Sequence, residues 1–334
     1  MLFQHAKQCC QNSSSSVREA VAATIHYTMA FDVTLGNNNN IGNDFPSIKD
    51  FLNETHEEIN KFKSGNSRDM KENTKKTLET VSLWLGYCMY NNSMSMKEEI
   101  YKMIPILCEN IEDQKIDEYQ KDDSTKYHRR AIMTMKTCFA PANVIHIALE
   151  MIWKVTNGSE SMKAILAALD LLQVFVFANF MAICFHEDYV QEIESNVLKL
   201  IAHEKLEVRQ KAANVFSGFI HTTLIPSQRL ETLTKMFLTK IPWFKSINLT
   251  KKSLVEYHSG VLGLCSIVEA FPYTVPKIIP PLVHELENHL NGPQIVSESA
   301  KKTLQNFKSS HQFSYSEDKM NSSTLFHVPP DYIL

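Results

Sequence analysis

The chain has 334 residues, 44% of them hydrophobic and only 9 of them Gly, and carries a formal net charge of −3. That length holds one large core or several stacked units, and so little Gly argues against a fold rich in strands and tight turns. The slight negative charge excludes a strong general pull toward nucleic acid.

Seven cysteines (Cys9, Cys10, Cys88, Cys108, Cys138, Cys184 and Cys265) form an odd set without a CxxC pair. They are expected to be small core residues in a reducing compartment. The first residues contain no apolar stretch of the kind that opens a secretory signal, so secretion is not expected.

In chain order, a first helix is expected over Val17–Ala30. Gly36 to Pro46, with its run Asn37–Asn40, reads as a loop. Ser47 and Asp50 make a capping pattern for a helix that turns Ile48, Phe51, Leu52, Ile59 and Phe62 inward. Helices near Thr77–Tyr90 and Met96–Ile111 follow, the second with a kink at Pro105. Mixed charge from Glu109 to Arg130 suits a solvated loop or an exposed helix. From Asn143 the helices are denser: Asn143–Val155, Glu160–Phe185, Tyr189–His203, Leu206–Thr222, Ser227–Thr239, Lys251–Ala270, Val275–Leu290 and Gln294–Ser309. Short links between them suit antiparallel pairs.

The apolar run Ala164–Phe185 is long enough for two readings, a buried helix or a membrane span. Asp170, Gln173 and Asn179 interrupt it, and an Asp near the centre of a span costs about 2.5–3.5 kcal/mol. With no basic cluster at its flanks, the buried helix is favoured.

Leu206 to Phe219 is the most telling segment. Val208, Ala212, Val215, Phe216 and Phe219 form one apolar stripe at helical spacing. An acid, then Val-Arg, then small Ala residues is the habit of HEAT-type repeats: the small residues admit a neighbouring helix and the Arg can reach acidic groups next door. Val17-Arg18 with Ala20 repeats this start, at a separation that holds about four units of ~40–47 residues. The expected fold is all-α, an α-solenoid of HEAT/armadillo-like helical hairpins. Its expected divisions are helical repeats over 1–142, a second helical region over 143–309 and a polar tail over 310–334.

Chemical motifs are scarce. His284-Glu285-Leu286-Glu287-Asn288-His289 resembles a zinc-protease motif, but its histidines lie five apart, about 140° around a helix, and cannot share one ion. No glycine-rich phosphate loop occurs. The pair Cys9-Cys10 and the clusters His128-Arg129-Arg130 and Lys251-Lys252 are too small to define a site. Trp84, Trp153 and Trp243 read as packing residues. The expectation is a binding protein without enzymatic activity, cofactor or metal, and with neither nucleic acid nor membrane as a direct partner.

From about Glu160 onward the chain resembles the C-terminal region of the proteasome activator complex subunit 4 family. The likeness rests on Leu206-Glu207-Val208-Arg209 with Ser217-Gly218, His258-x-Gly260-Val261-Leu262-Gly263-Leu264, Phe271-Pro272-Tyr273-x-Val275-Pro276, His289-Leu290-Asn291, and Lys301-Lys302-Thr303-Leu304-x-x-Phe307. The resemblance implies a HEAT-like protein of nucleus and cytoplasm that binds the α-ring of the 20S core proteasome without ATP or ubiquitin. Members are several times longer, so this chain resembles a C-terminal piece or a short paralogue. The family tail ends in a hydrophobic residue, Tyr and any residue; here Tyr332, Ile333 and Leu334 stand there, with Ile333 replacing the Tyr. The resemblance also implies an acetylated-histone pocket in which an Asn-Phe pair and an aromatic wall take part. Thr223 and Leu224 replace the pair, and Ile183, with Phe185 nearby, stands at the wall. The alternative is a HEAT scaffold or acetylated-histone-binding module that does not activate the proteasome.

Overall fold

A computed structural model describes residues 8–34, 53–55, 57, 68–90, 98–109, 140–242 and 250–311. The capping pattern at Ser47, the Asn-rich and charged segments, Trp243 and the tail Tyr332–Leu334 lie outside the described residues. Among the described residues every regular element is helical. They fall into two compact units, Met1–Tyr189 and Val190–Leu334.

In the first unit, α1 (Ser15–Thr34) packs against α2 (Arg68–Tyr90). Ala22 and Ile25 meet an inner face that includes Leu78, Val81, Trp84 and Leu85, all buried. The short helices α3 (Glu98–Tyr101) and α4 (Ile104–Glu109) then lie against α5 (Ala142–Gly158), and α4 also touches α6 (Met162–Ala178). Pro105 sits in the first turn of α4, so it opens a helix where the sequence suggests a kink in a longer one. A first-turn Pro gives up no helical hydrogen bond, because that N–H has no partner in the helix.

The long apolar run likewise divides, into α6 and α7 (Phe180–Cys184). Asn179 is the cause: its Nδ2 donates to the Phe175 carbonyl (2.9 Å) and its Oδ1 accepts from the Ala140 amide (2.6 Å). A side chain spent on the backbone in this way competes with continuation of the helix. No helix among the described residues is long and apolar enough to cross a membrane. Ile165, Leu169, Leu172, Phe175 and Val176 of α6 are buried, as the favoured reading of that run requires.

α8 (Glu187–Ile201) spans the division between the units. In the second unit α9 (Leu206–His221) is followed by a 3₁₀ turn (Ser227–Arg229), α10 (Leu230–Thr239), α11 (Lys251–Glu269), α12 (Ile279–Glu287) and α13 (Gln294–Ser310). α9 and α13 flank α11, and α10 and α12 pack on it as well. The stripe read from the sequence faces this core: Val208, Ala212, Val215, Phe216 and Phe219 are all buried. α12 begins at Ile279, later than the expected Val275. Pro276 biases Val275 away from helical backbone, and Pro280-Pro281 then occupy the first turn.

Candidate functional site

The two Val-Arg starts build the same clamp. Arg209 donates through Nη1 to the carbonyls of His203 (2.8 Å) and Glu204 (2.9 Å), six and five residues back. Arg18 does likewise toward Asn12 (2.7 Å) and Ser13 (3.1 Å). Each guanidinium is buried and reaches onward to a later helix. Arg18 pairs with Glu79 of α2 at 2.7 Å, the acidic partner the sequence suggests. Arg209 instead donates from Nε to Nδ1 of His258 on α11 (3.1 Å). Burying an Arg is costly unless its donors are met; backbone oxygens meet Nη1 in both clamps, while Nε of Arg18 is buried without a hydrogen-bond partner.

Burial and the Arg209 charge push His258 down to about 4, so its ring is neutral near neutral pH and Nδ1 is free to accept. Nε2 therefore carries the proton and donates to Ser299 Oγ (3.0 Å), whose hydroxyl donates to the Ile295 carbonyl (3.1 Å). One chain of hydrogen bonds thus joins α9, α11 and α13. The Ser299–His258 pair resembles a nucleophile and its base, but the nitrogen facing Ser299 already bears hydrogen and cannot take the hydroxyl proton. This is a structural relay.

Gly260 and Gly263 explain the next block. A Cβ on Gly263 would lie 2.2 Å from the Phe237 ring, and one on Gly260 would lie 2.8 Å from the Phe237 carbonyl. Both glycines are there to let α10 close on α11. Ser266 Oγ then donates to the Ala213 carbonyl of α9 (2.9 Å), and Thr303 Oγ1 of α13 donates to Glu269 (2.7 Å).

The histidines of the zinc-protease look-alike serve different partners. His284 is exposed and lies 3.3 Å from Glu287. His289 is buried, with Nδ1 2.9 Å from the Tyr257 hydroxyl and Nε2 3.3 Å from Glu285. Among the described residues no group of three or more His, Cys, Asp or Glu is placed to hold a metal ion. Trp84 and Trp153 are buried, as are Cys10, Cys108 and Cys265.

Of the residues expected to form an acetyl-lysine pocket, Ile183 and Leu224 are sealed in the core, at 0% and 3% exposure. Phe185, at 77%, faces outward, and Thr223 is exposed. Ile183 and Phe185 belong to the first unit, Thr223 and Leu224 to the second. Thr223 follows the end of α9 with φ 62°, the one non-Gly residue at positive φ among the described residues. The docking residues Tyr332, Ile333 and Leu334 lie outside the described residues. Sequence reasoning missed the outward residues Phe177 and Met181, whose only signal is their spacing of four with Phe185.

A family model described as "Proteasome activator complex subunit 4-like, C-terminal" matches residues 254–324, and so takes in the glycine helix, the Phe-Pro-Tyr loop and α13. The chain is similar to the C-terminal region of proteasome activator complex subunit 4. The Homo sapiens and Bos taurus proteins of that name are each 29% identical to it over 91% of this chain. It spans only 18% of their length. Proteasome activator BLM10 of Saccharomyces cerevisiae is 26% identical over 47% of the chain and 8% of its own length. Among solved structures, Kap121p aligns with TM-score 0.44 and 11% identity, over 95% of this chain and 35% of that one.

Proposed function

We propose that this chain is a non-enzymatic, proteasome-activator-like binding module of nucleus and cytoplasm. It docks on the α-ring of the 20S core proteasome through Tyr332-Ile333-Leu334, without ATP or ubiquitin. The observation that carries the reading is the similarity to named proteasome activators along 91% of the chain, which extends well beyond the 254–324 block. In the docking proposed here, Pro329-Pro330 would favour an extended approach and a carboxylate at Leu334 would meet a cationic pocket. Ile333 buries apolar surface but has no hydroxyl to donate, so docking is expected to be stronger than peptidase stimulation.

Co-purification with purified 20S core, with and without residues 332–334, tests this. Capture by the full chain and its loss on deletion support tail docking. Equal capture of both forms defeats it, and no capture at all leaves the scaffold reading in its place.

A second reading, recognition of acetylated lysine, is favoured by the outward position of Phe185. Titration with acetylated and unmodified histone peptides separates the two, since identical affinities remove any acetyl preference.

A further inference from the structure

Adjacent prolines occur at two places in the chain, Pro280-Pro281 and Pro329-Pro330, and the structure separates their uses. Pro280 and Pro281 stand in the first turn of α12, and Leu282 and Val283, which follow them, are buried. A pair fixed in helical backbone beside the core cannot serve as an extended ligand. Pro329-Pro330 lies past α13 and past residue 324, where the match to the family model stops. There the run Pro329-Pro330-Asp331-Tyr332 places a Tyr two positions after the pair, an arrangement that occurs once in the sequence. Tyr273, 84% exposed, offers no equivalent, because Ala270-Phe271 stand where the pair would be.

The spacing has a chemical meaning. The proline ring fixes φ close to the polyproline II value, so a Pro-Pro pair gives up little backbone freedom on binding in that form. Polyproline II has three residues per turn, which would set Pro329 and Tyr332 on one side of such a ligand. Proline rings pack flat against aromatic side chains, and a Tyr ring fills an adjoining apolar pocket while its hydroxyl stays at the wet rim. We propose that Pro329-Pro330-Asp331-Tyr332 is a ligand for a WW domain, the small module whose aromatic groove takes Pro-Pro-x-Tyr segments. An SH3 groove is a different class: its PxxP ligand needs a second Pro three positions on, and Tyr332 and Ile333 stand three beyond Pro329 and Pro330. WW binding does not depend on proteasome docking, but it uses Tyr332 as well, so one tail cannot serve both partners at once.

Isothermal titration of the full chain with a purified WW domain that takes Pro-Pro-x-Tyr ligands tests the proposal, beside a purified SH3 domain. Binding is expected with the WW domain alone. Pro330→Ala and Tyr332→Ala should each weaken it about tenfold or more, since each empties part of the groove. Pro281→Ala, at the pair built into α12, should leave it unchanged. Deletion of Leu334 should also leave it unchanged and bears only on capture by the 20S core, so failure of one reading is distinguished from failure of the other. Circular dichroism checks that each variant keeps its helix content. No binding by the full chain overturns the proposal, as does binding that survives both Pro330→Ala and Tyr332→Ala. Equal binding of the SH3 domain, or loss of binding in a folded Pro281→Ala variant, overturns it too.

Discussion

Replacing Gly263 by Ala is the sharpest test of how the second unit is packed. In an open helix this change stabilises by about 1 kcal/mol, because Gly loses more backbone freedom on folding. Here the new methyl would stand 2.2 Å from Cδ1 and Cε1 of Phe237 and 2.4 Å from its Cζ. Carbon atoms ordinarily approach to about 3.5–4.0 Å, so something must move by more than an ångström. Phe237 is fully buried and stands edge-on to Phe216 at a centroid distance of 6.1 Å. The ring can yield only by giving up that pairing, worth about 0.5–1.5 kcal/mol, or by forcing α10 away from α11. Overpacking of this kind costs about 1–3 kcal/mol, more than the propensity gain, so net destabilisation is expected. Hydrogen exchange of the α11 amides reads the effect locally, which suits a chain of two units where a single unfolding midpoint is ill defined. Each ~1.4 kcal/mol lost lowers protection about tenfold. In a Phe237→Ala background the obstacle is gone, and the same Gly263→Ala change should raise protection. Higher protection in the wild-type background, or equal loss in both, would refute the packing argument.

Two further outcomes follow from single residues. His258 has a folded-state value of about 4 against 6.5 for an unperturbed imidazole, so its contribution is fully present above pH 6.5 and is lost as pH falls toward 4. The loss is on the order of 3 kcal/mol, and burial lowers His203 in the same sense. His258→Gln should flatten the acid limb of α11 and α13 protection, whereas an unchanged slope would mean that other groups carry it. Thr223 sits at φ 62°, where a β-branched residue is strained and Asn or Gly is not. Thr223→Asn should stabilise by about 0.5–1 kcal/mol in the exchange of the last turn of α9, and no gain would mean that the turn is unstrained.

The repeat character was legible because it is local. The stripe Val208–Phe219, the small Ala residues and the helix-starting Arg all follow from spacing along one helix, and the stripe is buried as read. Partner choice was less legible. An acid opposite Arg was the natural expectation and holds for Glu79, but a neutral His serves equally well once burial keeps it unprotonated, and nothing in the sequence around His258 announces that. Asn179 looked like a polar blemish in an apolar run. Its effect depends on the Ala140 amide, far away in sequence, which periodicity cannot see. Only the resemblance points to the acetyl-lysine residues, and exposure separates Phe185 and Thr223 from Ile183 and Leu224. The position of Thr223 adds a physical point: an Asn there, as the resemblance implies for relatives, would suit the backbone whatever it binds.

The paired clamps also decide where the gene can change length. Because Arg18 and Arg209 grip carbonyls five and six residues upstream, a codon inserted between Asn12 and Arg18, or between His203 and Arg209, would carry the guanidinium past both acceptors at once. It would strip a buried cation of both backbone acceptors, and natural variants should therefore keep these two intervals free of insertions while tolerating them before Asn12 or in the turn after Thr222.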